Sequence, residues 1–163
     1  MKLRPEQWAL HVKQNLLPIY LISSDEILLQ QEALDTLRHA SRLQGFDDRL
    51  RIDIDRSFNP AQLLEECQSL SLFGDHKIIE LRLPKPPDVE LAKVLVKICT
   101  TPSPEHRVIL SLPLVNRRDQ ETEWFKAIDA AGGVLLLPSI TGSAFPDWLR
   151  QRLKSQNIVP DDE

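Results

Sequence analysis

The chain has 163 residues, 42% of them hydrophobic and 27% charged, with a net charge of −4. That length suits one domain with a full hydrophobic core, and the composition excludes extended disorder. An acidic chain cannot neutralise phosphates over its whole surface, and no apolar run approaches the ~20 residues of a membrane span. The opening Met1-Lys2-Leu3-Arg4-Pro5 lacks the apolar stretch of a secretory signal, so a cytoplasmic location is expected.

Residues 5–15 place Trp8, Ala9 and Val12 at helical spacing, with Leu16 beyond, and residues 18–23 read as a short buried strand. Ser23-x-x-Glu26 matches a capping box opening a long amphipathic helix through Ile27, Leu28, Ala33, Leu34 and Leu37, which Gly45 stops. Residues 50–54 alternate apolar and charged side chains as a strand does. Asn59 then caps a helix with Pro60 at its first position, and Gly74-Asp75 ends it. Further strands are predicted at 76–83, 108–112 and 134–137, with helices at 88–99, 120–131 and roughly 145–156. This alternation predicts an α/β fold, a five-stranded, mostly parallel sheet flanked by helices. Val159-Pro160-Asp161-Asp162-Glu163 has the composition of a helix opening. The sequence therefore reads as a fragment, with an α/β unit at 1–140 and the start of a truncated second domain at 141–163.

Ligands of parallel α/β folds sit where strands end and helices begin, so a phosphate loop belongs at Ser23-Ser24-Asp25-Glu26. That turn lacks the Gly needed for close backbone approach and the Lys that reaches terminal phosphates, and it carries two acids instead. Val108-Ile109-Leu110-Ser111-Leu112-Pro113 offers only a serine where a nucleotide hydrolase holds its metal-binding acid. Asp25 and Glu26 read as helix-capping acids, because the last strand has no Lys for a phosphoacceptor site. His11, His39, His76 and His106 show no ligand spacing, and Asp53 and Asp55 lie on the outward side of an alternating strand. Cys67 and Cys99 match no metal or redox motif and read as reduced, partly buried thiols. Arg117, Arg118, Arg150, Arg152 and Lys154 read as solvated basic positions, and core packing is the expected place of Trp124, Phe125 and Trp148. No catalytic residue, metal site or cofactor is predicted.

One segment breaks the core pattern. At ~100° per residue from Pro60, Leu63, Cys67 and Leu70 share a stripe ~60° wide, with Leu64 and Ser71 at its edge. Leu72 lies about 180° from Leu63 and Phe73 about 80° to its far side, so two large apolar groups are predicted to leave that stripe. An exposed Leu-Phe pair suits a partner's hydrophobic pocket.

Ser69-Leu70-Ser71-Leu72-Phe73 resembles the peptide Gln-Leu-Ser/Asp-Leu-Phe by which bacterial proteins bind the DNA polymerase sliding clamp. Ser69 stands where Gln is usual and Gln68 lies one residue early, which leaves two candidates for the polar anchor. Tyr20-Leu21-Ile22 running into Asp25-Glu26-Ile27-Leu28-Leu29-Gln30-Gln31, with Ser71-Leu72-Phe73-Gly74 before a strand, resembles the N-terminal part of the delta subunit of the DNA polymerase III clamp loader. The resemblance implies an AAA+-like, P-loop-type domain without a working nucleotide site, and a lid as the second domain. It implies a non-catalytic subunit of a polymerase holoenzyme that grips the clamp, the beta subunit, and helps open the ring for loading onto primed DNA. Ser69, Leu70, Ser71, Leu72 and Phe73 would make that contact. Other loader subunits would be met through regions outside this chain, and DNA only indirectly. The rival reading is a nucleotide-dependent α/β enzyme, a degenerate ATPase.

Overall fold

The computed structural model describes residues 1–14, 16–69, 74–140, 142 and 144–155. In chain order the elements are β1 (Lys2–Leu3), α1 (Pro5–His11), β2 (Ile19–Ser24), α2 (Ile27–Leu43), β3 (Asp48–Asp53), α3 (Pro60–Gln68) and β4 (Lys77–Arg82). They continue with α4 (Val89–Thr100), β5 (His106–Leu112), α5 (Arg117–Gln120), α6 (Glu123–Ala131), β6 (Gly133–Leu137) and α7 (Ala144–Ser155). All strands run parallel in one sheet of order β1-β6-β2-β5-β4-β3.

The central strands are apolar on both faces, and their side chains alternate between two cores. Ile19 and Leu21 of β2 join Ile79, Val108, Leu110 and Val134 beneath α3, α4 and α6. Tyr20 and Ile22 face the other way with Ile78, Ile109 and Leu135, beneath α1 and α2. Gly133 lets β6 approach β2 closely, since a Cβ there would stand 2.6 Å from the Tyr20 ring. Glu80 of β4 is the exception in an otherwise apolar run. It is buried on the α2 side, where Arg38 clasps it with two hydrogen bonds, Nε to Oε2 at 3.0 Å and Nη2 to Oε1. Burial works against the Arg38 charge, but Glu80 and then Asp35 outweigh it and hold its pKa above the ordinary value.

The predicted α/β class holds, with six strands instead of five. β1 is only two residues long and has no pattern of its own. It forms because β6 offers an edge, through Val134 N–H to Met1 O at 2.9 Å. The Ser23–Glu26 capping box does not form: β2 extends through Ser24, and Glu26 is itself the N-cap of α2, with no side-chain cap. Ile27 and Leu28, read as part of the buried stripe of α2, are exposed, whereas Ala33, Leu34 and Leu37 are buried. The helix predicted at 120–131 divides into α5 and α6, because Asn116 and Asp119 close a capping box around a single turn. Trp124 and Phe125 are core residues. Trp148 is half-buried, with its ring near Phe145 and the guanidinium of Arg152.

The largest departure concerns α3. Its start is as read, with Asn59 Oδ1 accepting from Ala61 N–H at 3.0 Å, but the helix ends at Gln68. Ser69 has turned to extended backbone (φ −64°, ψ 130°), so the helical rotation that placed Leu72 and Phe73 does not apply beyond Gln68. The predicted opening of a further helix at 159–163 lies outside the described residues.

Candidate functional site

A parallel sheet has two chemically distinct edges, and each holds one of the candidate sites. At the C-terminal edge, the turn after β2 is closed by its own side chains. Ser23 Oγ donates to Pro113 O at 2.8 Å and accepts from Val115 N–H at 2.9 Å. Ser24 Oγ donates to Leu137 O at 2.8 Å and accepts from Glu26 N–H at 3.0 Å. Asp25, expected to cap α2, instead accepts from Leu114 N–H at 2.9 Å. Gln30 Nε2 reaches back to Leu112 O at 2.9 Å and Ile22 O at 3.3 Å. The Glu26 amide of this turn and the Leu114 and Val115 amides of the loop after β5 thus bond to the protein's own side-chain oxygens. A cavity of about 410 Å³ remains beside it, lined by Ser24, Asp25, Gln30, Asp53, Arg82 and Ser111 among others. Asp25 and Asp53 repel a polyphosphate there, and against those two charges the named lining sets the single cation of Arg82.

At the N-terminal edge, α3 runs out toward the start of β4. Leu63 and Cys67 press into the core, as the helical stripe predicts, and carry the helix on the sheet. Burial, and then the charge of Glu66, push the Cys67 thiol up to about 12, and burial does the same at Cys99. Both cysteines are free and stay protonated, so neither acts as a nucleophile or redox group at neutral pH.

A helix end leaves its last carbonyls short of helical partners, and among the described residues those of Glu65, Glu66 and Cys67 in α3 are met. Ser69 N–H donates to Glu65 O at 2.9 Å, Ser69 Oγ to Glu66 O at 2.8 Å, and His106 Nδ1 to Cys67 O at 3.0 Å. Lys77 Nζ holds the Glu66 carboxylate at 2.8 Å, and this bond raises the lysine pKa. Among the predicted site residues only Ser69 is described: it is exposed, and its hydroxyl is turned back onto α3. Leu70, Ser71, Leu72 and Phe73 lie outside the described residues. Gly74 follows in a left-handed conformation, φ 73°, that favours glycine, and β4 begins three residues later at Lys77.

His106 and Lys77 escaped the sequence reading. Each is an unremarkable polar residue opening an apolar strand, and what pairs them with α3 is the register of β4 on β5, where Lys77 stands opposite His106. Elsewhere, Arg150 pairs with Asp147 at 3.0 Å and Arg152 with Glu32, as solvated helix positions do. Among the described residues no group of three or more His, Cys, Asp or Glu could hold a metal, and no helix is long and apolar enough to cross a membrane.

Residues 20–135 match the family described as DNA polymerase III, delta subunit. The DNA polymerase III subunit delta of Haemophilus influenzae is 30% identical over 162 residues, covering 98% of this chain and 47% of that protein. That of Escherichia coli is 24% identical over 163 residues, covering 99% and 48%. The chain thus spans about half the length of the curated relatives it matches. Among solved structures, the Bacillus subtilis DNA clamp loader delta protein superposes with a TM-score of 0.67 at 14% identity, over 93% of this chain and 47% of that one. The fold is shared with that protein.

Proposed function

The chain belongs to the DNA polymerase III delta subunit family, and from that premise we propose that it is a clamp-binding domain without chemistry of its own. In this reading Leu72 and Phe73 fill a hydrophobic pocket on the sliding clamp, the polymerase III beta subunit. Leu70 and Ser71 shape the segment, and the grip helps one interface of the ring to open for loading onto primed DNA. ATP is handled by the other loader subunits, which meet this protein through regions outside the chain. Residues 1–140 form the clamp-binding unit and 141–163 begin the lid.

One observation carries the reading: the motif starts where α3 stops, at a helix exit bonded to the sheet on one side and leading to β4 on the other. The polar anchor falls to Gln68. Ser69 Oγ is engaged with Glu66 O, whereas Gln68 is exposed and its carboxamide makes no hydrogen bond among the described residues. A nucleotide-dependent enzyme finds less support, because the Glu26 amide after β2 already bonds to Ser24 Oγ, the Leu114 amide after β5 to Asp25, and the turn carries acids where a phosphate cradle carries Gly and Lys.

The test compares Leu72→Ala/Phe73→Ala with the wild type in urea unfolding and in binding to a bacterial sliding clamp. Interface anchors contribute on the order of 2 kcal/mol each, so binding should weaken by roughly several hundred-fold. Unfolding free energy should move by about 0.5 kcal/mol or less. A core Phe73 would instead cost about 3 to 5 kcal/mol on its own, and that result, or clamp binding left unchanged, overturns the proposal.

A further inference from the structure

The bonds that Ser69 makes at the end of α3 are local: they move with the helix and do not orient it. Among the described residues two polar contacts tie this exit to the sheet. The Lys77–Glu66 ion pair is partly exposed, with 28% and 33% of the side chains accessible, and is weakened by solvent screening. The His106–Cys67 contact is buried on both sides, His106 being 5% exposed and Cys67 6%. A carbonyl oxygen only accepts, so Nδ1 of His106 carries the hydrogen, and it does so in both the neutral and the protonated ring.

We propose that His106 is a positioning residue for clamp binding, an inference that rests on the clamp reading above. The bond from His106 Nδ1 to Cys67 O fixes the last turn of α3 against the first residue of β5, and so fixes the point from which the chain departs toward Leu70. Without it, the final turn has one more unmet carbonyl and frays more readily, as helix ends do. Only a fraction of molecules then present the departing chain in the competent direction, and apparent affinity falls by that fraction. No contact between His106 and the clamp is involved.

The experiment measures binding of the full chain to a bacterial sliding clamp by surface plasmon resonance, below the melting transition of every variant. Phe73→Ala tests the underlying reading first: if it binds as the wild type does, the clamp proposal fails whatever His106 does. Given that arm, His106→Ala should weaken binding about fivefold, the scale of one lost hydrogen bond. His106→Asn, which offers an amide donor near the Nδ1 position, should restore affinity to within about twofold of the wild type. His106→Gln places its amide near the Nε2 position and should not restore it. Adding His106→Ala to Phe73→Ala should cost less than it does alone, because the presented anchor is already gone. Wild-type affinity in folded His106→Ala overturns the inference, and so does His106→Asn binding as weakly as His106→Gln. If His106→Ala does not fold, the Asn and Gln pair decides the question by the same criterion.

Discussion

At the C-terminal edge of the sheet the loops bond to one another, whereas at the N-terminal edge the last turn of α3 is bonded to a different element. Ser23, Ser24, Asp25 and Gln30 each direct a side-chain polar group onto backbone of the neighbouring loops, so the acidic turn after β2 is tied to the ends of β5 and β6. At the opposite edge, His106 and Lys77 hold the exit of α3 from outside the helix. An acidic turn without Gly or Lys has little to offer a phosphate. A helix end bonded from outside keeps its last turn in one place on the sheet.

Beyond the Leu72-Phe73 pair, the largest effect expected is at the α3 edge. Leu63→Ala removes a fully buried anchor of that helix and should lower the unfolding free energy by about 2 to 5 kcal/mol in urea titration. A change below about 1 kcal/mol would mean that α3 is not carried by this contact.

At the other edge, Ser23→Ala strips the partners from Pro113 O and Val115 N–H and should cost about 1 to 3 kcal/mol, with clamp affinity unchanged. Loss of clamp binding in a folded Ser23→Ala would erase the proposed separation of the edges.

A smaller effect depends on pH. Tyr20 Oη accepts from Leu17 N–H at 2.9 Å and meets His11 Nε2 at 2.8 Å, and when that nitrogen is unprotonated it accepts the tyrosine's own hydrogen. Burial, and then the terminal ammonium, hold the His11 pKa below its ordinary 6.5. The unfolded chain therefore takes up this proton before the folded one, and stability is present above pH 6.5 and lost as pH falls from there through the lower folded value. Melting followed by Trp8 fluorescence should shift down across that window. His11→Gln, which keeps an acceptor near Nε2, should flatten the dependence, and an unchanged slope would contradict the assignment.

The smallest signal belongs to Mg-ATP, for which calorimetry on the purified chain should record no binding heat. A dissociation constant on the order of micromolar would give the C-terminal edge a ligand after all.

Local pattern carried much of the fold. Runs such as Ile19-Tyr20-Leu21-Ile22 and Val108-Ile109-Leu110 must be buried on both faces, and Asn59-Pro60 and Asp88 mark helix starts by side-chain chemistry that acts within three residues. The missing Gly and Lys after β2 were equally visible, because a phosphate cradle is a contiguous stretch of chain. The resemblance of Ser69 to Phe73 to a peptide anchor is likewise one of composition and order in one short segment, and Leu70 to Phe73 lie outside the described residues.

What no local pattern contained is whatever depends on which strands lie side by side. β1 exists only because β6 has a free edge, and Glu80 is tolerated in the core only because α2 lays Arg38 over it. Ser23 caps a helix in sequence and braces a loop in space, because Pro113 and Val115 lie 90 and 92 residues away. The end of α3 at Gln68 was likewise hidden: a periodic apolar stripe continues on paper after the backbone has turned at Ser69. His106 meets Cys67 across 39 residues of chain, a pairing set by the alignment of β5 with β4 and by the side of the sheet on which α3 packs. Hydrogen bonds reach about 3 Å in space whatever the distance along the chain, so the tertiary structure alone decided which polar groups would meet.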